Sequence, residues 1–476
     1  MNGPAITPAV GRRDGLALAL LCVAQFMVAL DVQIVAIALP AIGRDLGVAQ
    51  ANLQWVVSAY VLTFGGFLLL SGRLADLFGR RRVFMLGFGL FTAASLACGL
   101  APSELFLHLA RAAQGLGAAL IAPAALSLLT GIFTEGPRRN RALGAWGAAA
   151  PLGGAAGFLL GGVLTDGAGW PWVFLVNVPV GVLTLALAPF VLAESRDRDA
   201  ERRLDLGGAA TGTAGLVLLV YGLTQAEHAG FGSPQTLGVL GGAFALLRLF
   251  CAIERRVANP LVPFAIFRRR NVTGANLVYL VLTAVNGPIL FLLTLYLQGP
   301  LGYRPLEAGL AFLPASLVLA VAAPLGAWLT GRVGYRLTMA AGTFALGGAA
   351  LLFARVSVGG SYLTDLLPGL LLLGVGLSVA SVAATVAGTA RLEATEQGLA
   401  SGLLNTSAQV GTALGLAALV ALSAGRTDAL LAADTPPGAA LVGGLELAFL
   451  CAAGLAGLAA MAVLLVVEKQ VSKTAG

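Results

Sequence analysis

Charge is scarce in this sequence. Of its 476 residues only 11% are Asp, Glu, Lys or Arg, and 58% are hydrophobic. A soluble domain carries about 25% charged residues. A soluble enzyme, a nucleic-acid binder and a disordered chain are therefore excluded. Histidine is almost missing: His108 and His228 are far apart in sequence and make no metal pair. The four cysteines, Cys22, Cys98, Cys251 and Cys451, are scattered through apolar stretches without metal-ligand spacing. No G-x-x-x-x-G-K-[ST] phosphate loop and no Cys/His nucleophile pair occurs. No connection is long enough to be a soluble domain. The net charge of +7 sits in short loops, so no basic domain exists to grip a phosphate backbone. Neither a cofactor nor a nucleic-acid partner is expected.

What the sequence does have is long apolar runs. A helical span needs about 20 apolar residues. Fourteen candidates follow: 15–39, 54–75, 83–101, 104–131, 141–164, 172–193, 206–225, 235–253, 273–297, 307–330, 337–354, 363–389, 399–424 and 442–467. The runs are unbroken rather than alternating, which disfavours barrel strands. Arg12 and Arg13 before the first run imitate a signal peptide. That run is too long and contains Asp31, so it reads as a retained first span. The expected fold class is an all-α polytopic membrane protein.

Arginine sets the expected orientation. With the N-terminus inside and the spans alternating, 23 of the 29 Lys and Arg residues fall in inside segments. Only Arg44, Arg304, Arg355 and Arg426 fall outside, and Arg111 and Arg248 lie within spans. Both termini, with Lys469 and Lys473 at the C-terminal end, are expected in the cytoplasm. Two charged connections, 194–205 and 254–272, divide the chain. They leave a six-helix bundle at 1–193, two additional spans at 206–253 and a second six-helix bundle at 273–476. Two six-helix halves suggest a duplicated transporter body.

Asp31 is the only carboxylate deep within a span. A charge there costs about 2.5–3.5 kcal/mol on insertion scales, so it is a functional residue by default. Apolar surroundings favour a neutral carboxyl, as proton coupling requires. Arg111 is its natural partner. At 1.5 Å per residue, both lie roughly 10–15 Å below the outer surface. The alternative is a structural ion pair that pins helices. In the fifth span Ala149, Gly153, Gly157 and Gly161 fall four apart and form a small-residue packing stripe.

The inside loop after the second span reads GRLADLFGRRR, Gly72–Arg82. It resembles the G-x-L-x-D-x-x-G-R-[RK] signature of the major facilitator superfamily at Gly72, Leu74, Asp76, Gly79, Arg80 and Arg81. The corresponding loop of the second half, Ala327–Arg336, is a degenerate echo in which Gly334 aligns with Gly79 and Gly331 replaces Asp76. LDVQIVAIALP (Leu30–Pro40), RAAQGLGAA (Arg111–Ala119) and NTSAQVGTALG (Asn405–Gly415) are similar to motifs of the fourteen-helix drug:proton antiporters. Gln33 and Ala36 depart from the first of these. Phe158 stands where the antiporter motif has Pro.

The resemblance implies a bacterial inner-membrane exporter of amphiphilic drugs or antibiotics, driven by protons through alternating access and acting as a monomer. It makes Gly72, Asp76, Gly79, Arg80 and Arg81 a gate. It places Asp31 and Arg111 beside a cavity between the halves. Candidate cavity residues are Gln33, Gln54, Gln114, Asn276, Asn286, Asn405 and Gln409. The other readings are a lipid or cell-wall precursor flippase of the same fold and, in another class, a membrane-embedded enzyme or sensor.

Overall fold

The computed structural model describes residues 12–48, 50–133, 137–195, 205–229, 232–257, 260–390, 392 and 394–468. All regular elements among them are helical. Fourteen helices are long and apolar enough to cross a bilayer, in register with the fourteen expected spans. The first six are α1 (Arg13–Leu46), α2 (Asn52–Ala75), α3 (Arg80–Gly99), α4 (Glu104–Ile132), α5 (Arg141–Gly167) and α6 (Trp172–Val191). Next come α7 (Leu206–Gln225) and α8 (Pro234–Glu254). The last six are α9 (Arg270–Gln298), α10 (Pro305–Val333), α11 (Tyr335–Phe353), α12 (Tyr362–Thr389), α13 (Leu399–Leu431) and α14 (Pro437–Val466). Backbone polar groups in a bilayer must be satisfied within the chain, which the helix does without a partner.

In the first bundle α1 packs on α5, and α2 and α3 pack on α4; in the second α9 packs on α13, and α11 on α12 and α14. Hydrophobicity does not drive helices together inside lipid, so close fit must. The stripe on α5 supplies it. A Cβ at Gly153 would overlap the Phe26 carbonyl of α1, and one at Gly157 or Gly161 would lie 2.8 Å from Leu30 O or 2.7 Å from Ile34 O. The second bundle repeats the device. A Cβ at Gly411 or Gly415 of α13 would overlap the carbonyl of Leu280 or Ala284 on α9. The turns after α2 and α10 also match: Gly79 has φ 106° and Gly334 has φ 83°, a region that glycine enters without a Cβ penalty. The echo seen in the sequence is thus an echo in backbone geometry.

Helices α7 and α8 form a hairpin. α8 is only 11% buried and leans mainly on α7, whereas α7 touches both α2 and α13. The hairpin therefore covers a seam between the bundles. Gln54 of α2 reaches across to Thr224 of α7 at 3.3 Å.

The bundles meet tightly at one end. A Cβ at Gly162 would lie 2.7 Å from Leu306 Cα, and one at Gly309 would overlap Phe158 O. Phe158 stacks on Phe312 with ring centroids 5.0 Å apart. Arg304 holds Asp166 through two hydrogen bonds of 3.2 and 2.6 Å, and Gln298 donates to Ile37 O at 2.9 Å.

Gly157→Ala should lower thermal stability by about 1–3 kcal/mol, as overpacking does, because backbone rather than a flexible side chain blocks the methyl. Gly147→Ala, on the same helix with open space beside it, should be neutral. Melting of both purified proteins checks this. Equal melting temperatures would mean that α1 and α5 are not in backbone contact.

Candidate functional site: a buried polar cluster beside a cavity

Asp31 and Arg111 are brought together as the sequence reading expected. Both are 0% exposed. Arg111 Nη1 donates to Asp31 Oδ2 at 2.6 Å and to Gln114 Oε1 at 2.6 Å. Its Nε donates to the Val56 carbonyl at 2.8 Å. The guanidinium lies 4.4 Å from the Tyr60 ring centroid and 5.7 Å from that of Phe174, so cation–π attraction supplements the ion pair.

Two amides complete the shell of the carboxylate. Gln114 Nε2 donates to Asp31 Oδ1 at 2.7 Å and to Ser95 Oγ at 2.8 Å. Asn177 Nδ2 donates to Asp31 Oδ1 at 2.8 Å. The expectation of apolar surroundings for Asp31 is corrected here. Low polarity alone would favour the neutral acid, but four helices turn donors and their supports inwards. An uncompensated buried charge costs too much to persist. The Asn177 oxygen has no hydrogen-bond partner, nor has the Tyr60 hydroxyl.

Asn177 and Ser95 were not anticipated. Asn177 sits where α6 breaks into Trp172–Leu175 and Asn177–Val191. Pro179, two residues further on, has no N–H to continue the ladder. An isolated Asn two residues before a Pro inside FLVNVPVG was the available signal. Ser95 gave none, since its hydroxyl also bonds Phe91 O at 2.7 Å, as serines in helices commonly do.

A cavity of about 850 Å³ lies beside this cluster. Its walls include Gln25 and Val32 of α1, Phe64 of α2, Ser127 of α4, Trp146 of α5 and Asn405 and Gln409 of α13. On α1 the lining face is set by Gln25, Val28, Ala29 and Val32. At about 100° per residue, Asp31 points roughly 120° away from it. Neither Asp31 nor Arg111 lines this cavity.

Of the candidate cavity residues, Asn405 and Gln409 line it. Gln33 instead packs beneath Gly157 of α5. Gln54 binds Thr224, and Gln114 belongs to the polar cluster. Asn276 is buried, donating to Val272 O and accepting from Ser407 at 2.8 Å. Asn286 is half-buried on α9 and is not part of this wall. Gln54, Gln114 and Asn276 are thus engaged in hydrogen bonds within and between helices, as polar groups inside a membrane must be.

The expected gate lies at the cavity end remote from the Arg304–Asp166 closure. Gly72 and Arg73 line the cavity, and Arg73 donates to Pro260 O at 2.8 Å. Helix α2 runs on past Ala75 to Phe78 and carries Asp76, whose side chain lies outside the described residues. Arg80 N–H donates to Ser195 O at 2.9 Å. The sequence reading missed Glu194. Its carboxylate accepts from the N–H groups of Arg81 and Arg82 at 3.1 and 3.2 Å, capping α3 from the end of α6. An anion there also meets the positive end of the helix dipole. Arg81 adds hydrogen bonds to Pro189 O and Leu192 O.

Two helical bundles, a covering hairpin, a cavity closed at one end and a buried ion pair beside it define a membrane transporter. The chain belongs to the Major Facilitator Superfamily, whose sequence profile matches residues 21–416. It is 44% identical over 418 residues to the cephamycin export protein of Amycolatopsis lactamdurans, covering 87% of this chain and 85% of that one. It is 42% identical over 431 residues to the puromycin resistance protein of Streptomyces alboniger, covering 90% and 85%. Among solved structures, a bacterial homologue of the human lysosomal transporter Spinster matches with a TM-score of 0.69 at 17% identity, covering 96% of this chain and 98% of that one. That likeness concerns the fold.

Arg111→Leu should destabilise the protein by about 3–5 kcal/mol, because it strands the Asp31 charge. Replacing both partners by Leu should recover much of that loss. Thermal unfolding of the purified single and double variants checks this. A double variant no better than Arg111→Leu would show that the residues do not act as a pair.

Proposed function

We propose that the protein is a proton-driven exporter of small amphiphilic molecules, working by alternating access. The observation that carries this reading is a buried acid, Asp31, held beside a cavity but turned away from it. Protonation removes the negative partner of Arg111 and weakens the bonds that fix α1 against α4 and α6. Another face of α1 is cavity wall, so a change in its seating is felt by the substrate. Asn177 suits both states. Its Nδ2 donates to the carboxylate, and after a half-turn of the amide its unpartnered oxygen accepts the acid proton.

The cavity supports an amphiphilic cargo. Phe64, Leu68 and Leu126 offer apolar walls, and Gln25, Ser127, Ser401, Asn405 and Gln409 offer neutral polar groups. The cephamycin export and puromycin resistance relatives support antibiotic-like substrates. Gly72, Asp76, Gly79, Arg80 and Arg81 form the inner gate, and the Arg304–Asp166 end is the outer closure. In this reading the bundles span 1–193 and 273–476. The segments 194–205 and 254–272 flank the hairpin at 206–253, and a monomer works in the bacterial inner membrane with both termini cytoplasmic.

Cysteines placed at Arg82 and Ala433 test the orientation. In a cysteine-free background, an impermeant thiol reagent on intact cells should label position 433 and spare 82. The reverse pattern would overturn the assignment of inside and outside.

Asp31→Asn should abolish uphill export driven by a pH gradient in proteoliposomes while leaving substrate binding within a few-fold of wild type. Wild-type affinity should depend on pH, and the variant's should not, since linkage between proton and substrate is reciprocal. Substrate-induced proton release from purified protein in weak buffer is the direct readout. A folded Asp31→Asn protein that still releases protons like wild type would remove Asp31 from the coupling role.

Cysteines at Asp166 and Arg304, joined by a short cleavable thiol cross-linker, should stop transport, and cleavage should restore it. Unimpaired transport by the cross-linked protein would show that this end need not open.

A further inference from the structure

The chain buries two further carboxyl groups against each other, at the end of the α7–α8 hairpin next to the cavity. Asp205 immediately precedes α7 and is 4% exposed; Glu254 ends α8 and is 3% exposed. They converge beside Gly208. A Cβ there would overlap Asp205 Oδ2 and lie 2.7 Å from Glu254 Oε1. Backbone satisfies one oxygen of each. Asp205 Oδ1 accepts from Gly208 N–H at 2.6 Å, and Glu254 Oε2 accepts from Val262 N–H at 2.9 Å. The two facing oxygens, Asp205 Oδ2 and Glu254 Oε1, are sealed from solvent and have no hydrogen-bond partner.

The surroundings offer little to stabilise a double charge. Leu70, Ala209 and Leu261 form an apolar cluster here. Among the described charged groups of the packed elements, Arg73 of α2 donates to Pro260 O, while Arg255 and Arg256 are exposed. Arg202 and Arg203 precede Asp205 outside the described residues. Like charges sharing a buried site do not both ionise. The helix ends decide which group keeps the proton. Asp205 caps the N-terminus of α7, where an anion is favoured, whereas Glu254 stands at the C-terminus of α8, where it is disfavoured.

We propose that Asp205 and Glu254 form a second proton-binding site, separate from Asp31, in which Glu254 carries the proton and donates it from Oε1 to Asp205 Oδ2. Release of that proton to the aqueous side breaks one O–H bond and leaves two facing carboxylates. Glu254 also holds Val262, whose neighbours Pro260, Leu261 and Pro263 wall the cavity. Repulsion at the pair therefore acts on the segment that closes one side of the cavity, so the wall is firmest when the proton is bound.

Infrared spectroscopy of the purified full-length protein near pH 7.5 tests this without requiring transport. Wild type should show a carboxylic-acid carbonyl band that shifts in deuterium oxide, is lost in Glu254→Gln and is retained in Asp31→Asn. The glutamine preserves the size of the side chain and can itself donate to Asp205, so the variant should fold. Asp205→Asn removes the facing charge. In that variant the Glu254 band should titrate with at least tenfold weaker proton affinity. Identical spectra for wild type and Glu254→Gln would overturn the proposal, as they would if an arginine neutralised both acids. A titration unmoved in Asp205→Asn would overturn it as well.

Discussion

The fold is organised around an opposite pair of charges in a place where charge is expensive. Asp31 and Arg111 sit at zero exposure within the spans, and each can stay only because the other is there. Their remaining hydrogen-bonding capacity draws in Gln114, Ser95, Asn177 and the Val56 carbonyl. One pair thereby fixes the mutual seating of α1, α2, α3, α4 and α6. The cavity wall on α1 and α4 is the outer face of that assembly. Asp31 lines no part of that cavity and is joined to it only through the positions of these helices.

The other constraint is closeness without side chains. Glycines four apart let α5 rest on the carbonyls of α1, and α13 rests on α9 in the same way. Each bundle therefore has one helix pair that behaves as a rigid unit. The bundles touch through α5 and α10 at one end, and α2 also packs on α13, where a Cβ at Gly65 would overlap Gln409 Cβ. At the other end they leave the cavity, where Arg73 and the Pro260 segment form part of the wall.

Much of this was legible in the sequence. Fourteen apolar runs, the arginine asymmetry and GRLADLFGRRR carried the fold class and the family. Asp31 and Arg111 were legible because a charge inside a span stands out against its neighbours. The partners were not. Gln114 reads equally as a cavity residue, and its true neighbours lie on α1 and α3. Glu194 and the Asp205–Glu254 pair sit among loop charges, where one acid looks like another. Only the packing shows that Glu194 caps a helix and that Asp205 and Glu254 are buried. Gln33, Gln54 and Asn276 illustrate the converse. A polar side chain in a membrane helix has to satisfy its bonds somewhere, and sequence does not tell a helix contact from a cavity wall.

The closed end of the molecule sets an energy scale. An exposed ion pair such as Arg304–Asp166, with the arginine side chain 70% exposed, is worth about 0.2–1 kcal/mol. A ring stack like that of Phe158 on Phe312 adds about 0.5–1.5 kcal/mol. The Gln298 bond to Ile37 O adds about 0.5–1.5 kcal/mol, and the other close approaches are glycine against backbone, which separates without leaving a socket to be filled. One proton crossing 100 mV delivers about 2.3 kcal/mol, and each pH unit of gradient adds about 1.4 kcal/mol. The closed end is thus held by contacts of the same order as the driving force that a membrane gives to one charge.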